Sequence, residues 1–314
     1  MKTKLFLAAM SLSALAATGQ TGTSMTVKDE NVARFKTITV DGLNIFYREA
    51  GDKSKPTILL LHGFPSSSHM YRDIINDLSS RYHLVAPDYP GFGKSSAPDV
   101  TKYNYTFDNV SVTMEHFIDA LQLKNISLYV QDYGGPVGFR IAARRPSLIR
   151  SLIIQNANAY TEGLGEAASP LVNYFTTPNA ETEKRAKVIL ASTEWQYTDG
   201  AEDVSKISPD SYHTDEFYLA RPGNEEIQLT LFRNYGSNLK LYDTWHNYFK
   251  ANQPATLVIW GKNDKIFIAP GAEAYKKDLK NAEVHLLNGG HFVLEEHHLS
   301  AAKLIDSFLS KGLK

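Results

Sequence analysis

Three residues of this chain have the types and spacing for nucleophilic chemistry: Asp132, Asp264 and His291. Asp132 stands between the apolar run Ile126–Gln131 and the segment Tyr133-Gly134-Gly135-Pro136. A polar side chain at the tip of a buried strand, followed by glycines that let a helix pack close, describes a nucleophile elbow. Asp132 would also serve as a plain N-cap for the helix behind it. Asp264 follows the run Ala255–Trp260, and His291 follows Ala282–Leu287. An acid and then an imidazole thus leave the carboxyl ends of successive strands, the edge where ligand and catalytic groups collect in open α/β sheets. Taken singly, Asp264 would pass for a turn residue and His291 for a structural imidazole. Their order along the chain, nucleophile then acid then base, argues that the three act as a set.

A fourth signal is Leu61-His62-Gly63-Phe64-Pro65, which closes another strand-like run. Backbone N–H groups of Phe64 and Tyr133 are expected to form the oxyanion hole, with His62 bracing the loop by hydrogen bonding. The identity of the nucleophile narrows the chemistry. A carboxylate attacking an acyl carbon makes a mixed anhydride, whereas attack on an sp³ carbon makes an ordinary alkyl ester. The position therefore suits electrophiles with a strained or good leaving group, epoxides or alkyl halides. Asp132 is ionised at neutral pH and needs no base for the attack. His291, oriented by Asp264, would instead activate the water that hydrolyses the ester.

Eight strand-like runs must position these groups: Lys36–Val40, Leu43–Arg48, Thr57–Leu61, Tyr82–Ala86, Ile126–Gln131, Ser151–Gln155, Ala255–Trp260 and Ala282–Leu287. Asp41-Gly42 between the first two predicts a hairpin. Most later runs are short, apolar and β-branched, as in strands covered on both faces. Helical patterns alternate with them at Tyr71–Leu78, Phe107–Leu121, Pro136–Ala143, Ala272–Leu279 and Ser300–Leu309. The alternation predicts an α/β fold with a mostly parallel eight-stranded sheet and helices on both faces. Between Tyr160 and Ala251 the strand rhythm stops. That stretch holds eight of the seventeen tyrosines, with Trp195 and Trp245. Such a bias suits the lining of an apolar pocket, or equally the core of a small helical subdomain.

Composition removes competing classes. Among 314 residues, 33 Lys+Arg balance 34 Asp+Glu for a net charge of -1, which offers no electrostatic footprint for nucleic acid. Zero Cys excludes thiolate nucleophiles and cysteine-ligated metals, and the adjacent pair His297-His298 is no ligand cluster, so neither metal nor cofactor is expected. Lys2 and Lys4 precede the small and apolar run Leu5–Ala17, which ends in Ala14-Leu15-Ala16-Ala17 before turning polar. This pattern predicts a signal peptide over residues 1–20 and an exported protein, periplasmic or secreted, with no transmembrane segment after the leader. The expected organisation is a core of residues 21–159 and 252–314 with a helical cap of residues 160–251 inserted into it.

The segments His62-Gly63-Phe64-Pro65, Asp88-Tyr89-Pro90-Gly91-Phe92-Gly93-Lys94-Ser95, Val130-Gln131-Asp132-Tyr133-Gly134-Gly135, Asp264 and Gly290-His291-Phe292 together resemble the α/β-hydrolase superfamily, specifically its epoxide hydrolase and haloalkane dehalogenase branch. The resemblance covers essentially the whole chain after the leader and implies a small apolar electrophile and water as reactants. In dehalogenases of this branch a Trp directly after the nucleophile and an Asn or second Trp nearby hold the halide. Here Tyr133 and Phe64 take those places. Epoxide hydrolases donate a proton from cap tyrosines, and the His-Gly-Phe-Pro loop resembles theirs more closely. Tyr174, Tyr197 and Tyr235 are the candidate donors, while Phe232 stands where the family usually has a Tyr ahead of Arg-Asn. Trp195 could serve a halide. Epoxide opening is the leading expectation, with dehalogenation, another hydrolysis such as ester cleavage, and non-catalytic small-molecule binding as alternatives.

Overall fold

A computed structural model describes residues 31–311, so the expected signal peptide lies outside the described residues. All eight expected strands are present: β1 (Arg34–Val40), β2 (Leu43–Ala50), β3 (Thr57–Leu61), β4 (His83–Pro87), β5 (Ile126–Gln131), β6 (Ile149–Gln155), β7 (Ala255–Gly261) and β8 (Glu283–Leu287). They form one sheet in the order β1-β2-β4-β3-β5-β6-β7-β8. β1 and β2 are antiparallel, with Val40 opposite Leu43 across Asp41 and Gly42, both at positive φ as a two-residue hairpin turn requires. β2 pairs antiparallel with β4, and every later pairing is parallel.

The helices of the core are α1 (Arg72–Leu78), α2 (Phe107–Ala120) and α3 (Gly134–Arg144). Between β6 and β7 the chain is helical, with α4 (Ser169–Thr176), α5 (Ala180–Leu190), α6 (Thr193–Thr198), α7 (Pro209–Leu219), α8 (Asn224–Asn234), α9 (Gly236–Leu239) and α10 (Tyr242–Asn252). Two expected helices differ. The run Ala272–Leu279 divides into α11 (Pro270–Ala274) and a 3₁₀ turn at Tyr275–Lys277, which seats Tyr275 in the core with its hydroxyl donating to the Ala157 carbonyl at 2.6 Å. The final helix α12 (Leu294–Lys311) begins before the expected Ser300, and a non-helical residue inside it, His297 (φ -121°, ψ 21°), interrupts the periodicity there.

Strand alternation builds a core on each face of the sheet. Leu59 and Leu61 of β3 join Leu128 and Val130 of β5 and Val258 and Trp260 of β7 on the face covered by α2, α3 and α10. Ile58, Leu60, Tyr129, Leu257 and Ile259 face the opposite side, under α1 and α12. All eleven are essentially inaccessible to water, each contributing on the order of 1.5–3 kcal/mol of apolar burial. Strand order reverses between β3 and β5, since β4 lies on one side of that pair and β6 on the other. The crevice beyond their carboxyl ends is where such sheets bind ligands. No helix among the described residues is long and apolar enough to cross a membrane.

Candidate active site

Asp132 occupies the turn between β5 and α3 with φ 46°, a left-handed backbone that is strained for a residue with a Cβ. Glycine is required immediately after Tyr133. A Cβ on Gly134 would stand 2.0 Å from the Leu61 carbonyl oxygen, so only a bare Cα lets α3 start this close to β3. The turn aims the Asp132 carboxylate at the loop after β3, where the Phe64 N–H donates to Oδ1 at 2.7 Å and the Tyr133 N–H donates to the same carboxylate. Burial pushes this carboxyl up to about 6, against the pull of His291 and the two backbone donors.

His291 follows β8 and Asp264 follows β7, side by side at the sheet edge. The His291 Nδ1–H donates to Asp264 Oδ2 at 2.7 Å, which leaves Nε2 as the basic nitrogen, 3.9 Å from Asp132 Oδ2. Burial opposes the charged ring, but Asp264, bonded to it, and Asp132 outweigh burial and hold His291 above the ordinary imidazole range. Asp264 Oδ1 accepts the N–H groups of Ile266 (2.8 Å) and Phe267 (3.1 Å), so the acid is fixed from both sides. The structure therefore brings the three sequence-predicted residues together with both predicted backbone donors. His62 is buried and apart from the pocket wall. Its Nε2 accepts the Tyr89 N–H at 3.1 Å while Nδ1 bonds the Gly63 carbonyl, and burial lowers its pKa to about 3, so it braces the loop as a neutral ring.

Two residues at this site were not singled out by the sequence reading. Asn156, at the end of β6 with φ 39°, donates from Nδ2 to Asp264 Oδ2 at 2.7 Å and accepts the Gly261 N–H at 2.9 Å. Its backbone carbonyl takes the Asp132 N–H at 3.3 Å, tying acid and nucleophile to one residue. Gln131, the last residue of β5, is fully buried and donates from Nε2 to His291 Nε2 at 3.1 Å. The available signal was a polar residue at the carboxyl end of a strand, Gln131 as the last residue of β5 and Asn156 directly after β6.

The pocket above Asp132 is walled by Phe64, Tyr133, Phe232, Phe267 and His291 from the sheet edge and α8, and by Leu171, Val172, Phe175, Ile189 and Trp195 from α4–α6. Among the described residues no Lys or Arg lines it, and Asp132 is the only carboxylate there. Of the candidate residues, Tyr235 and Trp195 reach the wall and Tyr174 and Tyr197 do not. Tyr174 is turned toward Arg233, which donates to its hydroxyl at 2.8 Å. Tyr197 stacks on Phe292 at 3.8 Å and gives its hydroxyl to Asp215. Both rings are held by partners outside the pocket. Tyr235 packs against Tyr133 and Phe107, and burial, then the neighbouring Tyr242 and Asp132, raise its hydroxyl well above the ordinary phenol value. Phe232, one helical turn before it, meets Phe64 edge-on at 5.0 Å. Among the described residues no group of His, Asp and Glu is arranged to hold a metal ion.

Comparison with known proteins gives a consistent setting. A family model described as alpha/beta hydrolase fold matches residues 56–298. A Saccharomyces cerevisiae protein named uncharacterized hydrolase YNR064C is 39% identical over 293 residues, 90% of this chain and 99% of the relative. Homo sapiens epoxide hydrolase 4 is 26% identical over 287 residues, 86% of this chain and 76% of the relative. Among solved structures, a haloalkane dehalogenase from Agrobacterium tumefaciens C58 matches with a TM-score of 0.75 at 24% identity, covering 89% of this chain and 97% of that one.

Proposed function

This chain belongs to the alpha/beta hydrolase family, and from that premise we propose that it is an exported hydrolase that opens epoxides through an alkyl ester formed on Asp132. The observation that carries the mechanism is the carboxylate of Asp132 itself, held at Oδ1 by the Phe64 N–H and bonded also by the Tyr133 N–H, with the lone-pair nitrogen of His291 near Oδ2. Oδ2 is the free oxygen and attacks the less hindered epoxide carbon, breaking the C–O bond. The departing oxygen takes a proton from Tyr235, whose raised pKa keeps it protonated until a stronger base forms beside it.

Water then adds to Asp132 Cγ and gives its proton to His291 Nε2. The charge that develops on Oδ1 falls on the Phe64 N–H already bonded to that oxygen, beside the Tyr133 N–H bonded to the same carboxylate, so the donors are in place before the step. Collapse expels the diol as its alkoxide, which takes the proton from His291, and the carboxyl left on Asp132 gives its proton back to the Tyr235 phenolate, so that carboxylate and phenol are both restored.

Epoxide over halide is favoured by what stands near the leaving group. Neither Tyr133 nor Phe64 offers a side-chain N–H, whereas the Tyr235 hydroxyl has no hydrogen-bond partner among the described residues. Dehalogenation is the second reading, supported by Trp195, whose indole reaches the pocket wall and is 40% exposed. Export rests on the charged and apolar leader Lys2–Ala17. The purified protein, incubated with terminal epoxides and 1-haloalkanes, is expected to form diols without releasing acid. Halide and proton release with epoxides untouched would reverse the assignment.

A further inference from the structure

The Gln131 side chain is placed where no structural task accounts for it. Its amide N–H is bonded to the one nitrogen of His291 that must accept a proton from water, at 3.1 Å. In this arrangement the base is occupied. Its Oε1 is buried and has no partner, a state that native interiors rarely keep. That oxygen lies over the bare Cα of Gly63: a Cβ there would stand 2.3 Å from Gln131 Oε1 and 2.7 Å from Asp132 Oδ1. The amide and the carboxylate thus crowd around one point, and the imidazole is bonded to the other end of the amide. Gln155, the register partner of Gln131 on β6, also leaves its amide Nε2 without a partner on the same sheet face.

We propose that Gln131 is a positioning residue that partners His291 in both of its protonation states, turning its amide to offer N–H to the neutral ring and C=O to the imidazolium. The inference rests on the reading of His291 as the base of ester hydrolysis. An amide is suited to this because its two ends are nearly equal in size and opposite in hydrogen-bonding sense. When water attacks Asp132 Cγ, the O–H bond breaks and the proton moves to His291 Nε2. A fixed amide donor would then face a ring N–H, with both hydrogens directed at each other. Rotation replaces that clash with an N–H···O=C bond and brings the unpartnered oxygen into use. The proton returns to the departing alkoxide and the amide turns back.

The charged and titratable groups facing this ring are few. Asp264 holds Nδ1, Asp132 faces Nε2, and the ion pair of Lys265 with Asp199 lines the crevice behind. None of them can exchange a donor for an acceptor, since carboxylates only accept and ammonium only donates.

The test is an NMR titration of the His291 ring in the full chain, assigned by its loss in His291→Gln. A bond to a charged group is stronger than one to its neutral form, so removing both partners should cost the imidazolium more. Gln131→Leu is therefore expected to lower the His291 pKa by about one pH unit. Gln131→Glu, which only accepts, is expected to raise it. A rise in Gln131→Leu would make Gln131 a fixed donor and overturn the proposal, as would no change. If Gln131→Leu does not fold, Gln131→Met of similar volume carries the same expectation. With styrene oxide as probe, Gln131→Leu should slow decay of the alkyl-enzyme about tenfold and leave its formation within about twofold. Equal losses in both steps would indicate a structural role only. If the wild-type chain forms no alkyl-enzyme, the proposed function fails, while the ring titration still decides the role of Gln131.

Discussion

At the scale of single residues, the site separates two demands on one carboxylate. Asp132 must be charged to attack and must carry a stabilised oxyanion when its ester is cleaved. Oδ1, held by the Phe64 N–H at 2.7 Å, meets the second demand and leaves Oδ2 for the first. Burial raises the acid to about 6, which makes the carboxylate a better nucleophile at neutral pH and gives the first step an acid limb. Alkylation measured in single turnovers should fall about tenfold per pH unit below pH 6, because only the ionised form attacks. A flat profile between pH 5 and 7 would contradict the assignment. Tyr235→Phe should reduce kcat/KM for epoxides by about 10²-fold and leave any haloalkane turnover unaffected, since a halide leaves without a proton. Equal losses on both substrates would point to packing against Tyr133 instead of acid catalysis.

At the scale of elements, the strand ends were legible because parallel strands buried on both faces read as short apolar runs, and the residue that ends each run is conspicuous when polar. Asp132, Asp264 and His291 stand out on that rule. Asn156 and Gln131 obey it too, but an amide closing a strand also suits an ordinary loop entry, and only the three-dimensional pairing of β5, β6 and β7 shows what each one holds. The tyrosines of α4–α8 were not separable by sequence. A helix exposes one face to the pocket, and whether Tyr174, Tyr197 or Tyr235 lies on that face depends on packing among short helices. The β5–α3 turn is the element on which the nucleophile depends. Gly134→Ala places its Cβ 2.0 Å from a backbone carbonyl, whereas Gly135→Ala meets the Ala157 Cβ at 3.1 Å and the Phe139 ring at 3.4 Å. In urea unfolding Gly134→Ala should lose on the order of 3 kcal/mol and Gly135→Ala distinctly less. Equal midpoints would show that the turn does not need its bare Cα.

At the scale of the whole molecule, the helices between β6 and β7 close over the sheet edge and are tied down by buried polar seams. One of them joins Tyr197 of α6 and Asp215 of α7 to Ser66 of the loop after β3, and Ser211 of α7 to Glu295, which Arg72 grips through two bonds at 3.0 and 2.7 Å. Burial, with Glu295 and Asp88 nearby, raises Asp215 to about 7 despite its bonds to Tyr197 and Ser66. A carboxyl raised on folding binds its proton more tightly in the folded state, so its stabilising contribution is full below the unfolded value near pH 4 and is lost as pH rises through about 7. Thermal unfolding of the wild type should therefore drop relative to Asp215→Asn between pH 5 and 8, and parallel curves would refute the linkage. This seam was invisible in the sequence because Ser66 and Asp215 are far apart along the chain and neither belongs to a motif. The proposed chemistry requires a covalent bond to Asp132, and the mass of the peptide that carries it reads that bond directly. His291→Gln, mixed with styrene oxide and digested, is predicted to gain the mass of one substrate on the peptide carrying Asp132 and to retain it for hours. An unmodified His291→Gln protein, under conditions where the wild type forms the diol, would contradict the two-step mechanism.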